Sequence, residues 1–339
     1  MRRWCIQIVV GPAGPGKSAY CHAMQSHAAT LARKRTIHVA NLDPAAEHFG
    51  YDLDFDVRSL ISFQDVMEEL SLGPNGALVY CMEYLMQNLE WLQDHLDSYD
   101  DDEYLILDCP GQLELYTHIP IMRRIIDQMR LWGFESSMVG VFCVDATFLT
   151  DTSKFISGSL LSLSAMIALE LPHVNVLTKC DLMAEEEVEK MLAMESATHM
   201  WNMEQHDKLD RNHKRNKLTE AISSLLDDYT LVSFLSLNIT EEDSMNHVLT
   251  VWTMCWRPSI TRFSLVRIRK STRAMDQKIN RRMRSYLECI ARAVLLYGYL
   301  QYSAQVKSFS SSKLDLLFKA LSDNEVLIIE IQSQTGALL

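Results

Sequence analysis

Glycine and proline are scarce in this chain, 12 and 8 of 339 residues, and charged residues make up only 22%. That excludes collagen-like, low-complexity and wholly disordered architectures. The eight cysteines are scattered, most of them in apolar runs, and no two form a CxxC pair. Reduced, buried thiols of an intracellular protein fit this pattern better than a disulfide frame or a zinc site. No apolar run is long enough to span a bilayer. The longest uncharged one, Phe155 to Leu169, is interrupted by Ser and Gly and ends at Glu170. Too little apolar sequence precedes Gly11 for a secretory signal peptide. The expectation is a soluble, cytoplasmic or nuclear protein with no membrane association.

Positive charge is also in short supply, with 32 Lys and Arg against 44 Asp and Glu, a formal −12. It is concentrated as well: residues 257–292 hold eleven Lys or Arg against Asp276 and Glu288, which leaves about −20 on residues 1–256. Such a body repels a phosphate backbone, so direct nucleic-acid binding through it is not expected.

What the chain does have is a 48% hydrophobic composition arranged as short apolar runs between longer helical stretches. Residues 5–10, 36–40, 104–107, 138–144 and 173–177 read as buried strands. Residues 19–32, 77–96 and 160–169 read as helices. This alternation predicts a three-layer α/β fold, a mainly parallel sheet covered by helices on both faces. Residues 184–230 are charge-rich with helical spacing and read as a helical insertion. Residues 234–237 read as a last strand and 243–256 as a closing helix. The predicted domain is 1–256, and 257–339 is a basic, then mixed tail that reads as a solvated helix, a basic patch or an extension outside the domain.

Between the first strand and the first helix lies Gly11-Pro12-Ala13-Gly14-Pro15-Gly16-Lys17-Ser18, which fits G-x-x-x-x-G-K-[ST] in the strand–helix context that gives the pattern its meaning. Backbone N–H groups of such a loop turn inward around a phosphate chain, aided by the helix dipole. Lys17 would reach the β- and γ-phosphates and Ser18 would ligate Mg²⁺. After the strand at 104–107 comes Asp108-Cys109-Pro110-Gly111-Gln112. Asp108 would hold the magnesium through a water, and the Gly111 N–H would sense the γ-phosphate. After the strand at 173–177 comes Thr178-Lys179-Cys180-Asp181. The Asp181 carboxylate can accept from guanine N1–H and N2–H₂, a donor pair that adenine does not offer, so GTP and GDP are the expected ligands.

At these residues the chain resembles the GPN-loop GTPases, nearest their eukaryotic type-3 branch. The likeness extends through Asn41-Leu42-Asp43-Pro44-Ala45-Ala46-Glu47, Gly73-Pro74-Asn75, Cys81-Met82-Glu83-Tyr84, residues 108–117 and Phe155-Ile156-Ser157-Gly158. The resemblance implies a GTP hydrolase that works as a dimer. Asn75 would be presented in trans across the dimer toward the departing phosphate, stabilising charge as an arginine finger does elsewhere. Asp43 and Gln112 would place the attacking water with Glu114 in support, although Asp43 could act through magnesium instead. It further implies a paralogous GPN-loop GTPase or a second copy as partner, and RNA polymerase II subunits or assembly factors as clients. Cytoplasmic residence with shuttling to the nucleus follows from the same role.

Two positions depart from the family: Pro15 stands where Ser is usual, removing one N–H from the cradle, and Ala19 where Thr is common. The tail turns basic where the family continues acidic. Pro15 keeps open a second reading, a nucleotide-binding structural subunit of a heterodimer that hydrolyses little. A third is a P-loop ATPase of the partition or metallochaperone type, which residues 178–181 and the absence of a cysteine pair disfavour.

Several conspicuous features have plainer readings. The acidic run 94–103 lacks calcium-loop spacing and reads as a solvated loop. His38, His48 and His118 read as packing or surface residues, and Met82 and Met86 as core or dimer-face residues.

Overall fold

The first strand, β1 (Cys5–Val10), is buried at every position, as a strand covered on both faces must be. In the computed structural model, which describes residues 5–31, 36–100, 103–112, 114–117, 119–147, 152–192, 223 and 234–255, it is the centre of the sheet. The other strands are β2 (Ile37–Asn41), β3 (Leu53–Asp56), β4 (Tyr104–Asp108), β5 (Met138–Asp145), β6 (His173–Thr178) and β7 (Phe234–Ser236). The order is β3-β2-β4-β1-β5-β6-β7, and every neighbouring pair is parallel. The mainly parallel sheet expected from the sequence is therefore parallel throughout its described strands.

Parallel pairing puts all strand C-termini at one edge. β2 and β3 are joined by a loop, residues 42–52, and helices lie in the connections from β1 to β2, β3 to β4, β4 to β5 and β5 to β6. On one face lies α1 (Lys17–Thr30), which buries Tyr20, Cys21, Met24 and Ala28 at three- and four-residue spacing. The last described helix of the chain, Glu242–Cys255, packs on the same side, with Val248 and Leu249 joining Tyr20, Met24 and Val141 in one core. The larger core, on the opposite face, is built by five further helices: α2 (Phe63–Glu69), α3 (Pro74–Gln87), α4 (Leu89–Asp97), α5 (Glu114–Thr117) and α6 (Ile121–Met129), together with α7 (Thr152–Leu169). In α6, Ile121, Met122, Ile125, Ile126 and Met129 form the buried stripe. The order of helices is completed by α8 (Glu185–Leu192) and by α9, the Glu242–Cys255 helix.

Three expectations change. The helix read over 77–96 is two helices, parted at Asn88 (φ −118°, ψ 41°), whose side-chain amide donates to the Tyr84 carbonyl at 2.8 Å. The helix read over 160–169 starts a little over two turns earlier, at Thr152. The edge strand β3 has no counterpart in the sequence reading, because Leu-Asp-Phe-Asp is too short and acidic to stand out from a loop. The start of the 184–230 insertion is helical, as α8; the rest of it lies outside the described residues apart from Ser223, and so does the 257–339 tail. No helix among the described residues is long and apolar enough to cross a membrane.

Candidate nucleotide site

The loops after β1, β2, β4, β5 and β6 meet at the C-terminal edge of the sheet, where doubly wound folds place ligands. Gly11 leaves β1 with φ +148°, and a Cβ there would lie 2.5 Å from the Cys143 carbonyl oxygen on β5. The phosphate loop therefore lies directly on the sheet, and only glycine fits at its root. The loop ends at Gly16, the N-cap of α1, so its N–H groups and the positive end of the helix dipole face the same space.

Lys17, only 9% exposed, folds back over this loop, with Nζ donating to the Pro12 carbonyl at 3.0 Å and more weakly to the Gly11 carbonyl at 3.4 Å. Gly111 approaches from the loop after β4. A Cβ on it would sit 2.9 Å from Lys17 Nζ and 3.1 Å from Ala13 Cα, a fit that brings the Gly111 backbone against the phosphate loop. The Gly111 N–H faces the Asp43 carboxylate closely enough to favour its charged form. Lys17, Gly111 and Asp43, which the sequence reading assigns to the phosphate and the attacking water, lie close to one another.

Asp43 itself is held from behind. Buried Asn41, the last residue of β2, accepts from the Asp43 N–H at 3.0 Å and donates to the Asp43 carbonyl at 2.9 Å. The same Asn41 amide also reaches Asp56 at 2.9 Å, and Asp56 is gripped by Arg58. Burial raises the Asp43 carboxyl above the usual carboxylate range, opposed by the Ala45 N–H, Lys17 and the Gly111 N–H.

Ser18 Oγ donates to Asp108 Oδ2 at 2.7 Å, which brings the two expected magnesium-side residues together. Asp108 is 4% exposed, and burial raises its carboxyl too, countered by Ser18, Lys17 and Tyr51. A desolvated carboxylate beside a hydroxyl oxygen, with neutral hydroxyls as its hydrogen-bond donors, is an oxygen donor set suited to Mg²⁺. Ser18 and Asp108 would hold that ion, and it would neutralise charge on the phosphates.

The base-side residues lie next to the loop. Thr178 Oγ1 donates to the carbonyls of Pro15 and of Val144, the latter at 3.1 Å. Lys179, in a left-handed backbone conformation, donates to Asp145 Oδ2 at 2.5 Å. Asp181 is exposed on the 3₁₀ turn Cys180–Leu182, leaving its carboxylate open to a base. Pro15 is buried, and its carbonyl serves as an anchor for Thr178 although its nitrogen donates nothing.

Gln112 Nε2 donates to Asn75 Oδ1 at 2.9 Å in the same chain. The residue expected to be presented in trans thus has a partner in its own chain. Glu114 opens α5, and its side chain lies outside the described residues. Sequence reasoning missed Tyr51, whose hydroxyl donates to Asp108 Oδ2 at 3.0 Å, and Asp145, which also accepts from the N–H and hydroxyl of Thr147. Asp145 ends a strand beside the base loop, a position that could have flagged it. Tyr51 carries no such local sign. Among the described residues no group of three His, Cys, Asp or Glu forms a metal cluster.

The sheet, the phosphate loop and the paired Ser18 and Asp108 define a P-loop nucleotide-binding protein. A family model described as a conserved hypothetical ATP binding protein matches residues 9–256. The chain is 49% identical over 250 residues to GPN-loop GTPase 3 of Dictyostelium discoideum, covering 72% of this chain and 84% of that protein. It is 48% identical over 248 residues to GPN-loop GTPase 3 of Danio rerio, with the same two coverages. The crystal structure of a GTPase in apo form from Pyrococcus abyssi shares the fold, with a TM-score of 0.60 and 22% identity over 74% of this chain and 96% of that one. The chain belongs to the GPN-loop GTPase family.

Proposed function

We propose that this protein binds GTP with Mg²⁺ and hydrolyses it to GDP and phosphate. The observation that carries the reading is the docking of the base loop on the phosphate loop: Thr178 reaches the Pro15 carbonyl while Asp181 stays exposed beside it. A guanine seated on Asp181 would thereby have its phosphates directed along the Gly11–Ser18 loop. Lys17 and the loop N–H groups bind the β- and γ-phosphates, with Ser18 and Asp108 on the magnesium side. Asp43 and Gln112 orient the attacking water, and Asn75 supplies its amide to the charge that develops on the departing phosphate. The GTPase names of the relatives support the hydrolytic reading.

The finer role is proposed from family membership: a dimer with a paralogous GPN-loop GTPase or with itself, acting in RNA polymerase II assembly and nuclear import from the cytoplasm. One observation favours a second reading, a nucleotide-binding subunit with little turnover. Pro15 contributes no N–H to the cradle.

The test is equilibrium binding of fluorescent GTP, GDP and ATP with Mg²⁺, followed by single-turnover phosphate release with and without a paralogous partner. Guanine preference with turnover supports the enzyme. Guanine preference without turnover under either condition, restored by Pro15→Ser, supports the second reading. Equal binding of guanine and adenine nucleotides refutes the assignment of Asp181.

A further inference from the structure

Asp108 Oδ2 takes two hydroxyl donors, Ser18 at 2.7 Å and Tyr51 at 3.0 Å. They differ in kind. Ser18 is exposed at the mouth of the loop, and its oxygen is the one that would turn to the metal. Tyr51 is 6% exposed and packed in the core under the sheet edge with Tyr20, Cys21 and Met24, so its hydroxyl approaches the carboxylate from the protein side.

The segment that delivers Tyr51 is braced along its length. The Phe49 ring lies 5.3 Å from the Tyr51 ring and carries the Arg58 guanidinium at 4.6 Å over its face. Arg58 also donates to the Ala46 carbonyl at 2.9 Å and pairs with Asp56. Asp56 in turn binds Asn41, which holds Asp43. One loop thus carries a water-side carboxylate at its start and a hydroxyl for the magnesium-side carboxylate at its end.

We propose that Tyr51 is a positioning residue for the magnesium site, its hydroxyl holding Asp108 Oδ2 in place so that Ser18 is free to bind the ion. The proposal rests on the reading of Ser18 and Asp108 as the magnesium-side pair. Without the hydroxyl, Ser18 remains the one donor to that oxygen among the described groups and has two competing tasks. The loss therefore falls on metal affinity and leaves the phosphate cradle and the base loop as they were, since the Tyr51 hydroxyl bonds to Asp108 and to neither of them.

Tyr51→Phe removes the hydroxyl and keeps the ring. Retention of a fluorescent GDP analogue is measured across a magnesium chloride titration for the native chain, Tyr51→Phe, Asp108→Asn and the double variant, with thermal unfolding recorded alongside. The expected result is unchanged GDP affinity in EDTA and a magnesium midpoint about tenfold higher in Tyr51→Phe, the size expected for one hydrogen bond to a charged group. Adding Tyr51→Phe to Asp108→Asn should change nothing further. An unchanged midpoint overturns the proposal, and so does a loss of GDP binding in EDTA that matches the loss in magnesium, which would make Tyr51 a packing residue. If the native chain retains GDP with no response to magnesium at all, the assignment of Ser18 and Asp108 has failed first.

Discussion

Gln112 and Asn75 are joined by a 2.9 Å hydrogen bond that ties the loop after β4 to the first turn of α3 within one chain. Gln112 follows Gly111, the residue pressed against the phosphate loop, so the exposed start of α3 is tied to the segment that lies beside that loop. The bond takes the Asn75 side-chain oxygen, an acceptor, and leaves the amide N–H donors that a phosphate would need.

Asn75→Ala and Gln112→Ala should each slow single-turnover phosphate release on the order of 100-fold, with GTP affinity little changed. Mixing Asn75→Ala chains with Lys17→Ala chains tells where Asn75 acts. The expected outcome is recovery of part of the native rate, because a site with intact Lys17 then receives Asn75 from the other subunit. A mixture as slow as its parents would show that Asn75 works within its own chain.

Asp181→Asn should lower the preference for GTP over ATP by roughly 100-fold, since the carboxylate that matches the guanine donors is lost. Competition binding measures this directly, and thermal stability should hardly move because Asp181 is exposed.

Gly11→Ala places a Cβ 2.5 Å from the Cys143 carbonyl at a backbone angle that side chains rarely adopt. A loss of about 1–3 kcal/mol is expected from backbone strain, together with loss of nucleotide binding as the loop lifts from the sheet. Chemical denaturation and fluorescent nucleotide titration read the two effects.

Burial raises the Asp108 carboxyl above its unfolded value. The native state then binds more protons than the unfolded chain in the window between those two values. The contribution of Asp108 to stability is fully present below the unfolded value and is lost as pH rises through the folded one. Without nucleotide, Asp108→Asn should therefore melt higher than the native chain at pH 8, and the gap should narrow on acidification toward the ordinary carboxylate range. Magnesium with GDP should reverse the order at pH 8, because it stabilises the charged form that the variant lacks. Melting temperatures across pH, with and without magnesium and GDP, check both statements.

The sequence was most informative where function and fold are both local. The Gly11–Ser18 loop is one continuous segment between a strand and a helix, and the apolar runs of β1, β4, β5 and β6 are buried where alternation placed them. Legibility ended where a residue's meaning lies in a distant contact. Tyr51 reads as an ordinary loop aromatic until β2 and β4 pair and set it against Asp108. The break at Asn88 is hidden because apolar spacing continues through it, with Leu85 and Leu92 both buried. His38 lies within 4 Å of Asp54 and Glu103, so one member of the acidic run has a specific neighbour in place of plain solvation. Met82 is fully buried, as a core reading of the methionines expects. His118 lies outside the described residues.

The bond from Ser18 to Asp108 spans 90 residues of chain, and that from Thr178 to Pro15 spans 163. Neither can form until β1, β4 and β6 have found their places. During synthesis the cradle emerges from the ribosome long before the segments that complete it, and closing such long loops is slow and entropically costly. A nucleotide that needs both the phosphate loop and the base loop would therefore find its full site only once the sheet that joins them has assembled.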